Sequence, residues 1–149
     1  MRIRPAQADD EAALRACAEA AHARYVPRMG RRPAPMDADF AGLIAAGAVH
    51  VASGRDGTVE GFVAFYPQDD AMLLESVAVL PDAAGQGRGR ALIGHCEQAA
   101  RAAGLGAVRL YTNEAMVENL ALYPRLGYIE TGRRVEDGFR RVYFEKRLG

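Results

Sequence analysis

Three glycines at alternate positions, Gly85, Gly87 and Gly89, separate an apolar run from a long helical pattern. Glycine admits positive φ and lets a ligand approach the main chain closely. In a strand-to-helix turn it allows successive N–H groups to converge at the positive end of the helix dipole. Such a concavity suits an anion, above all a phosphate or pyrophosphate. Arg88 and Arg90 add positive charge beside it. A tight turn without any ligand is the plainer reading of the same glycines. Two phosphate motifs are excluded. The P-loop needs Lys and then Ser or Thr at the helix start, whereas Lys146 is the only lysine of the chain. The dinucleotide pattern GxGxxG fails because residue 90 is arginine. Further along, Asn119 and Tyr123 stand four residues apart in a helical pattern and so share one helix face. Tyr123 by itself reads as a half-buried core tyrosine. Pro124 removes the hydrogen bond to the Leu120 carbonyl and predicts a kink or early unwinding there.

The elements that must position these residues follow from periodicity. A strand is expected at Arg2–Pro5. Asp9 or Asp10 then caps a helix with Ala13, Leu14, Cys17, Ala18 and Ala21 on its apolar face, ending near Tyr25 before Pro27. A loop is expected from Val26 to Met36 and a short helix over Asp37–Ala46. Strands Val49–Ser53 and Thr58–Tyr66 flank an Asp56-Gly57 turn. Leu73–Leu80 is apolar enough for a central strand buried on both faces. The helix after the glycine turn spans Gly89–Ala103, followed by strand Ala107–Tyr111 and a helix around Val117–Leu126. Strands near Tyr128–Arg134 and Phe139–Arg147, turned by Asp137-Gly138, close the chain. The order predicts one α/β domain over 1–149 with a mixed sheet.

Composition narrows the function. The chain has 149 residues, half of them hydrophobic, and 19 basic against 19 acidic residues. A neutral chain gives no electrostatic case for nucleic acid. The longest near-apolar stretch, Ala41–Ala52, is too short to span a bilayer, and the N-terminus lacks the apolar region of a signal peptide. Cys17 and Cys96 form no CxxC, which argues against a disulfide framework or a zinc site and predicts a reducing, cytoplasmic setting. Ser53 and Ser76 are the only serines and no GxSxG exists, which excludes a serine-hydrolase elbow.

The segment PDAAGQGRGRAL after an apolar VAV strand resembles the signature turn of the GNAT superfamily of acyl-CoA-dependent N-acyltransferases, Q/R-x-x-G-x-G/A. Gly87 and Gly89 match its small positions, and Ala84 stands where the family usually has Gln or Arg. Asn119-Leu-Ala-Leu-Tyr123-Pro-Arg-Leu-Gly127-Tyr128 resembles a second region of that family, with one residue fewer between Ala121 and Tyr123. The two motifs cover the last half of the chain.

The resemblance implies a GNAT-like domain, with a mixed, mostly antiparallel sheet flanked by about four helices. It implies acetyl-CoA as acyl donor, no metal, a small-molecule or peptide amine as acceptor, and a possible homodimer. Ala84, Gly85, Gln86, Gly87, Arg88, Gly89 and Arg90 would surround the pyrophosphate. Val77, Ala78 and Val79 would line the pantetheine, Asn119 would bond it, and Tyr123 would protonate the leaving thiolate. Glu75 is expected on one strand face with residues 77 and 79, where burial would raise its pKa and suit it as base; pairing with an arginine such as Arg109 is the alternative. Tyr25 and Arg31, beside the proline-rich loop, and Asn113, at a strand end, are candidate acceptor contacts. A solvated loop and a helix cap are their structural alternatives. A non-catalytic acyl-CoA-binding domain is the competing function. A kinase is disfavoured, because no acidic pair with a lysine accompanies the glycine turn.

Overall fold

Helices covering both faces of a sheet let helical and strand apolar stripes be buried together, and the computed structural model, which describes residues 1–149, is built this way. Its elements are β1 (Arg2–Pro5), α1 (Glu11–His22), α2 (Tyr25–Met29), α3 (Phe40–Ala45), β2 (Val49–Ser53), β3 (Val59–Gln68), β4 (Ala71–Val79), α4 (Arg88–Ala102), β5 (Ala107–Asn113), α5 (Val117–Arg125), β6 (Ile129–Glu136) and β7 (Phe139–Arg147). The seven strands form one sheet in the order β1-β2-β3-β4-β5-β7-β6. All neighbours are antiparallel except β4 and β5. Asp137 and Gly138, at φ 53° and 79°, join Glu136 to Phe139 in the primed turn that the Asp-Gly pair predicts. No helix is long and apolar enough to cross a membrane.

Each face carries its own core. Leu14, Cys17 and Ala18 of α1 and Phe40 of α3 pack on Val49, Val51, Phe62, Ala64 and Ala78. On the opposite face Leu92, Ile93, Cys96 and Ala100 of α4 pack with Tyr123 and Tyr128 on Val63, Met72, Leu74, Val108, Leu110, Val142 and Phe144. Cys17 and Cys96 therefore lie on opposite sides of the sheet. Burial pushes their thiols up to about 11 and about 12.

The first half departs from the sequence reading in two places. The expected loop from Val26 begins as a helix, α2, with Pro27 in its first turn, where a missing N–H costs no intrahelical bond. Asp10 does not cap α1 with its side chain; it accepts the Gln7 N–H (2.7 Å) and the Arg4 guanidinium (2.8 and 3.0 Å), tying β1 to the helix start.

A third departure decides the site. β4 is not regular: Ala64 faces Ser76 and Phe65 faces Leu74, so Glu75 is an extra residue without a partner on β3. Met72 and Leu74 point to the α4 side before it, and Val77 and Val79 point there after it. The bulge thus reverses the parity, and Glu75 does not share a face with residues 77 and 79. The parallel pairing of β4 with β5 reaches only Met72–Val108 and Leu73–Arg109. Beyond it the two strands separate.

Candidate active site

The gap between β4 and β5 opens into a cleft of about 540 Å³. Its walls include Leu74–Val77 of β4, Leu110–Asn113 of β5, Asn119 and Tyr123 of α5, and Leu43 of α3. A cleft at the carboxyl ends of diverging strands is where open sheets hold ligands. Because α5 packs in the α4-side core and α3 in the α1-side core, the cleft reaches through the sheet from one face to the other. The Leu80 N–H bonds to the Glu60 carbonyl (2.8 Å). Antiparallel alternation then directs the main-chain groups of Ser76 and Ala78 to β3, and those of Val77 and Val79 into the gap. Ala78 is turned away from the gap in both its main chain and its buried side chain.

Glu75 is half-buried in the cleft wall and accepts a hydrogen bond from the Tyr66 hydroxyl (3.0 Å). Burial, and then the carboxylate itself, push the Tyr66 phenol up to about 12, so that it stays a donor. Arg109 does not pair with Glu75; it bridges Glu145 (2.7 Å) and Asp70 (3.0 Å).

On α5, Asn119 Nδ2 donates to Thr112 Oγ1 (3.1 Å), which leaves its Oδ1 without a protein partner. Tyr123 is 4% exposed, and its ring packs at 5.6 Å from Tyr128 and 5.7 Å from Phe144. Its hydroxyl makes no hydrogen bond within the protein while the residue lines the cleft. Burial, with lesser contributions from the neighbouring Tyr25 and Cys96, holds this phenol well above its ordinary range. The helix ends one residue after Pro124, as the missing N–H predicts: Gly127 turns left-handed (φ 94°), and the Tyr123 carbonyl accepts from Leu126 and Tyr128.

The glycine turn stands outside the cleft, at the far end of β4. Gly85 and Gly87 both have φ 79°, and α4 begins at Arg88. None of the main-chain N–H groups of Gly85, Gln86, Gly87, Arg88, Gly89 and Arg90 has a partner within the protein. A row of free donors at a helix start is an anion cradle. Gly89 abuts Val79, two residues beyond Val77 of the cleft wall. Arg88 leans back onto Glu60 (2.8 Å) and also meets Gln86. Ala84 and Arg90 are exposed, and Arg90 makes no ion pair.

Of the expected acceptor residues, only Asn113 lines the cleft. Its Oδ1 accepts the Ala115 N–H (2.9 Å), closing the turn into α5. Tyr25 is buried and its hydroxyl accepts from Arg24 (2.8 Å). Arg31 donates to the Asp137 carbonyl (3.0 Å) and lies 3.8 Å above the Phe139 ring. Arg28 pairs with Glu118 of α5 (2.8 Å). These two arginines thus fasten the α2 region across the cleft to α5 and to the β6–β7 turn.

The sequence profile of the acetyltransferase (GNAT) family matches residues 14–128. The chain belongs to this family. Among solved structures, this GNAT chain is similar to the PaiA N-acetyltransferase of Thermoplasma acidophilum in complex with coenzyme A (TM-score 0.82, 16% identity, 99% of this chain and 98% of that one). It is likewise similar to the ribosomal-protein-S18-alanine N-acetyltransferase of Escherichia coli (TM-score 0.75, 21% identity, 99% and 93%). Nourseothricin acetyltransferase shares 27% identity at TM-score 0.63 over 68% of this chain, which spans only 65% of that longer protein. No curated protein matches.

Several residues in or behind the cleft wall of this GNAT domain carry no functional role in the sequence reading. His22 is buried in the cleft wall; its Nδ1 contacts the Ala18 carbonyl (2.9 Å) and so must carry the proton. Burial lowers its pKa, which leaves Nε2 as an unprotonated acceptor. Ser76 Oγ is buried without a partner. Tyr66 and Arg141 could have been found once the Asp69-Asp70 hairpin and the alternation of β7 were drawn. Tyr66 then falls on the side of Glu75, and Arg141 falls opposite Val142 and Phe144.

Proposed function

We propose that this GNAT domain transfers an acetyl group from acetyl-CoA to a primary amine by direct attack in a ternary complex. The observation that carries this is the row of unpartnered N–H groups from Gly85 to Arg90 at the head of α4, beside a cleft that splits the sheet. That row fits a pyrophosphate, and Arg90 is a free cation within it. Coenzyme A is the ligand in the T. acidophilum relative, and the acceptor named for the E. coli relative is an alanine amine.

Acetyl-CoA supplies a thioester, which an amine can attack only when neutral. Main-chain groups of Val77 and Val79 hold the pantetheine arm as an added strand would be held. Asn119 accepts from it through Oδ1. A main-chain N–H in the same gap takes the charge that develops on the acyl oxygen. Glu75, oriented by Tyr66, accepts the proton that the amine loses. The new C–N bond replaces the C–S bond, and Tyr123 donates its hydroxyl proton to the departing sulfur. A phenol held above its ordinary range arrives protonated for this step. Amine approach from the α1 side and thioester approach from the α4 side place both reactants in one cleft without a covalent enzyme intermediate.

Calorimetric titration with acetyl-CoA and with ATP, paired with thiol release in the presence of mixed amines, tests the reading. Binding of acetyl-CoA alone and amine-dependent thiol release are expected. Binding without thiol release would make the protein a non-catalytic acyl-CoA-binding domain. No binding at millimolar coenzyme A removes the proposal.

A further inference from the structure

The cleft contains one permanent cation, Arg141, and no protein carboxylate lies within hydrogen-bonding distance of it. We propose that the acceptor amine carries a carboxylate of its own and that Arg141 binds it; this rests on the acetyl-transfer reading above. The Arg141 side chain is only 15% exposed, yet its guanidinium makes no hydrogen bond within the protein. Its nearest carboxylate oxygen, Glu136 Oε1, lies 3.6 Å away and already accepts the Tyr143 hydroxyl. A half-desolvated guanidinium with free donors is costly to keep unless an oxyanion completes it. The ring of Tyr111 at 4.4 Å and that of Phe139 at 5.7 Å hold its plane. A fork so fixed matches a carboxylate by paired hydrogen bonds.

Opposite charge stands in the same cleft. Glu75 and Asp39 line it, and Asp39 Oδ1 also caps α3 by accepting the Gly42 N–H (3.1 Å). Val108, Leu110, Val142 and Phe144 face the α4 core, so Tyr111 and Arg141 face the opposite side of the sheet. The extra residue in β4 sends Glu75 to that side as well. One strand, β5, separates β4 from β7, which puts their main chains at least ~10 Å apart by two strand spacings. Long side chains reaching inward from both strands close this to the dimensions of a small molecule. An ammonium beside Glu75 and a carboxylate on Arg141 describe an amino-acid-like acceptor, and a polyamine would set a second cation against Arg141.

Thiol release is measured with the α-amino acids and, in parallel, with their carboxamides. The free acids are expected to exceed their amides at least tenfold in kcat/KM. Arg141→Gln should raise KM for the acids about 10- to 100-fold, collapsing the acid-to-amide ratio while the KM for acetyl-CoA stays put. Arg141→Lys, which keeps charge but not the fork, should fall between, and it guards against a folding defect in the glutamine variant. Amides or polyamines used as well as free acids by the unmodified enzyme would overturn the proposal, as would an Arg141→Gln variant that slows acids and amides alike. Failure to bind acetyl-CoA, read by calorimetry, bears on the transfer reaction instead.

Discussion

Replacing Tyr123 by phenylalanine removes one oxygen and leaves the packing of the ring. Its neighbours Tyr128 and Phe144 pack on the ring, and neither hydrogen-bonds the hydroxyl. No protein donor or acceptor is orphaned, because the hydroxyl bonds to none. The fold should therefore lose no more than ~0.5 kcal/mol, the usual scale for a change that breaks no interaction. Catalysis should suffer far more. A positioned acid contributes about 10²- to 10⁴-fold, which is ~3–5 kcal/mol of barrier at 1.36 kcal/mol per decade. The assay pairs steady-state thiol release with calorimetric acetyl-CoA binding and thermal melts. The expected pattern is a kcat lowered at least a hundredfold, a Kd for acetyl-CoA within about threefold and an unchanged Tm. Since burial raises this phenol's pKa, its deprotonation should impose no alkaline limit on the rate below ~pH 10, the ordinary phenol value. A variant that loses affinity and Tm together with rate would show that Tyr123 packs and does not donate. A variant with undiminished kcat would move the acid elsewhere.

Glu75→Gln should lower kcat/KM about a hundredfold while the Kd for acetyl-CoA stays within about threefold, whereas an undiminished kcat/KM would assign the base to another group. Gly87→Ala forces a Cβ onto φ 79°, a cost of about 1–2 kcal/mol that should appear as a lower Tm together with weaker acetyl-CoA binding; an unaltered Kd would separate the turn from the cradle. Asp10→Asn should cost about 1–2 kcal/mol at pH 7, since it weakens the hydrogen bonds to Arg4 and Gln7. The Arg4 hydrogen bond holds the folded carboxyl below its ordinary value, so its contribution is present above the unfolded pKa of ~4 and is lost as pH falls through the folded one. Urea unfolding at pH 7 and pH 3 should accordingly show the gap to the unmodified protein narrowing in acid.

Residues close in sequence carried most of what could be read without coordinates. The alternating glycines allowed the left-handed backbone found at Gly85 and Gly87, the Asp137-Gly138 pair marked the turn found there, and Pro124 marked the early unwinding seen as a helix that stops at Arg125, because steric limits on φ act within a few residues. Helical periodicity likewise put Asn119 and Tyr123 on one face. The order of strands and helices followed from runs of apolar residues for the same local reason. Tertiary structure decided what depends on register between distant segments. An inserted residue at Glu75 reverses the side-chain alternation of β4, and only its pairing with β3 reveals the insertion. Divergence of β4 from β5 after Leu73 makes the cleft, yet nothing in either strand marks where pairing stops. The α2 segment latched by Arg28 and Arg31 arises from contacts across 90 and 106 residues, and Tyr66 beside Glu75, His22 in the wall and Arg141 without a hydrogen-bonding carboxylate depend on how the packed sheet and helices meet, where burial and partner availability outweigh any local preference.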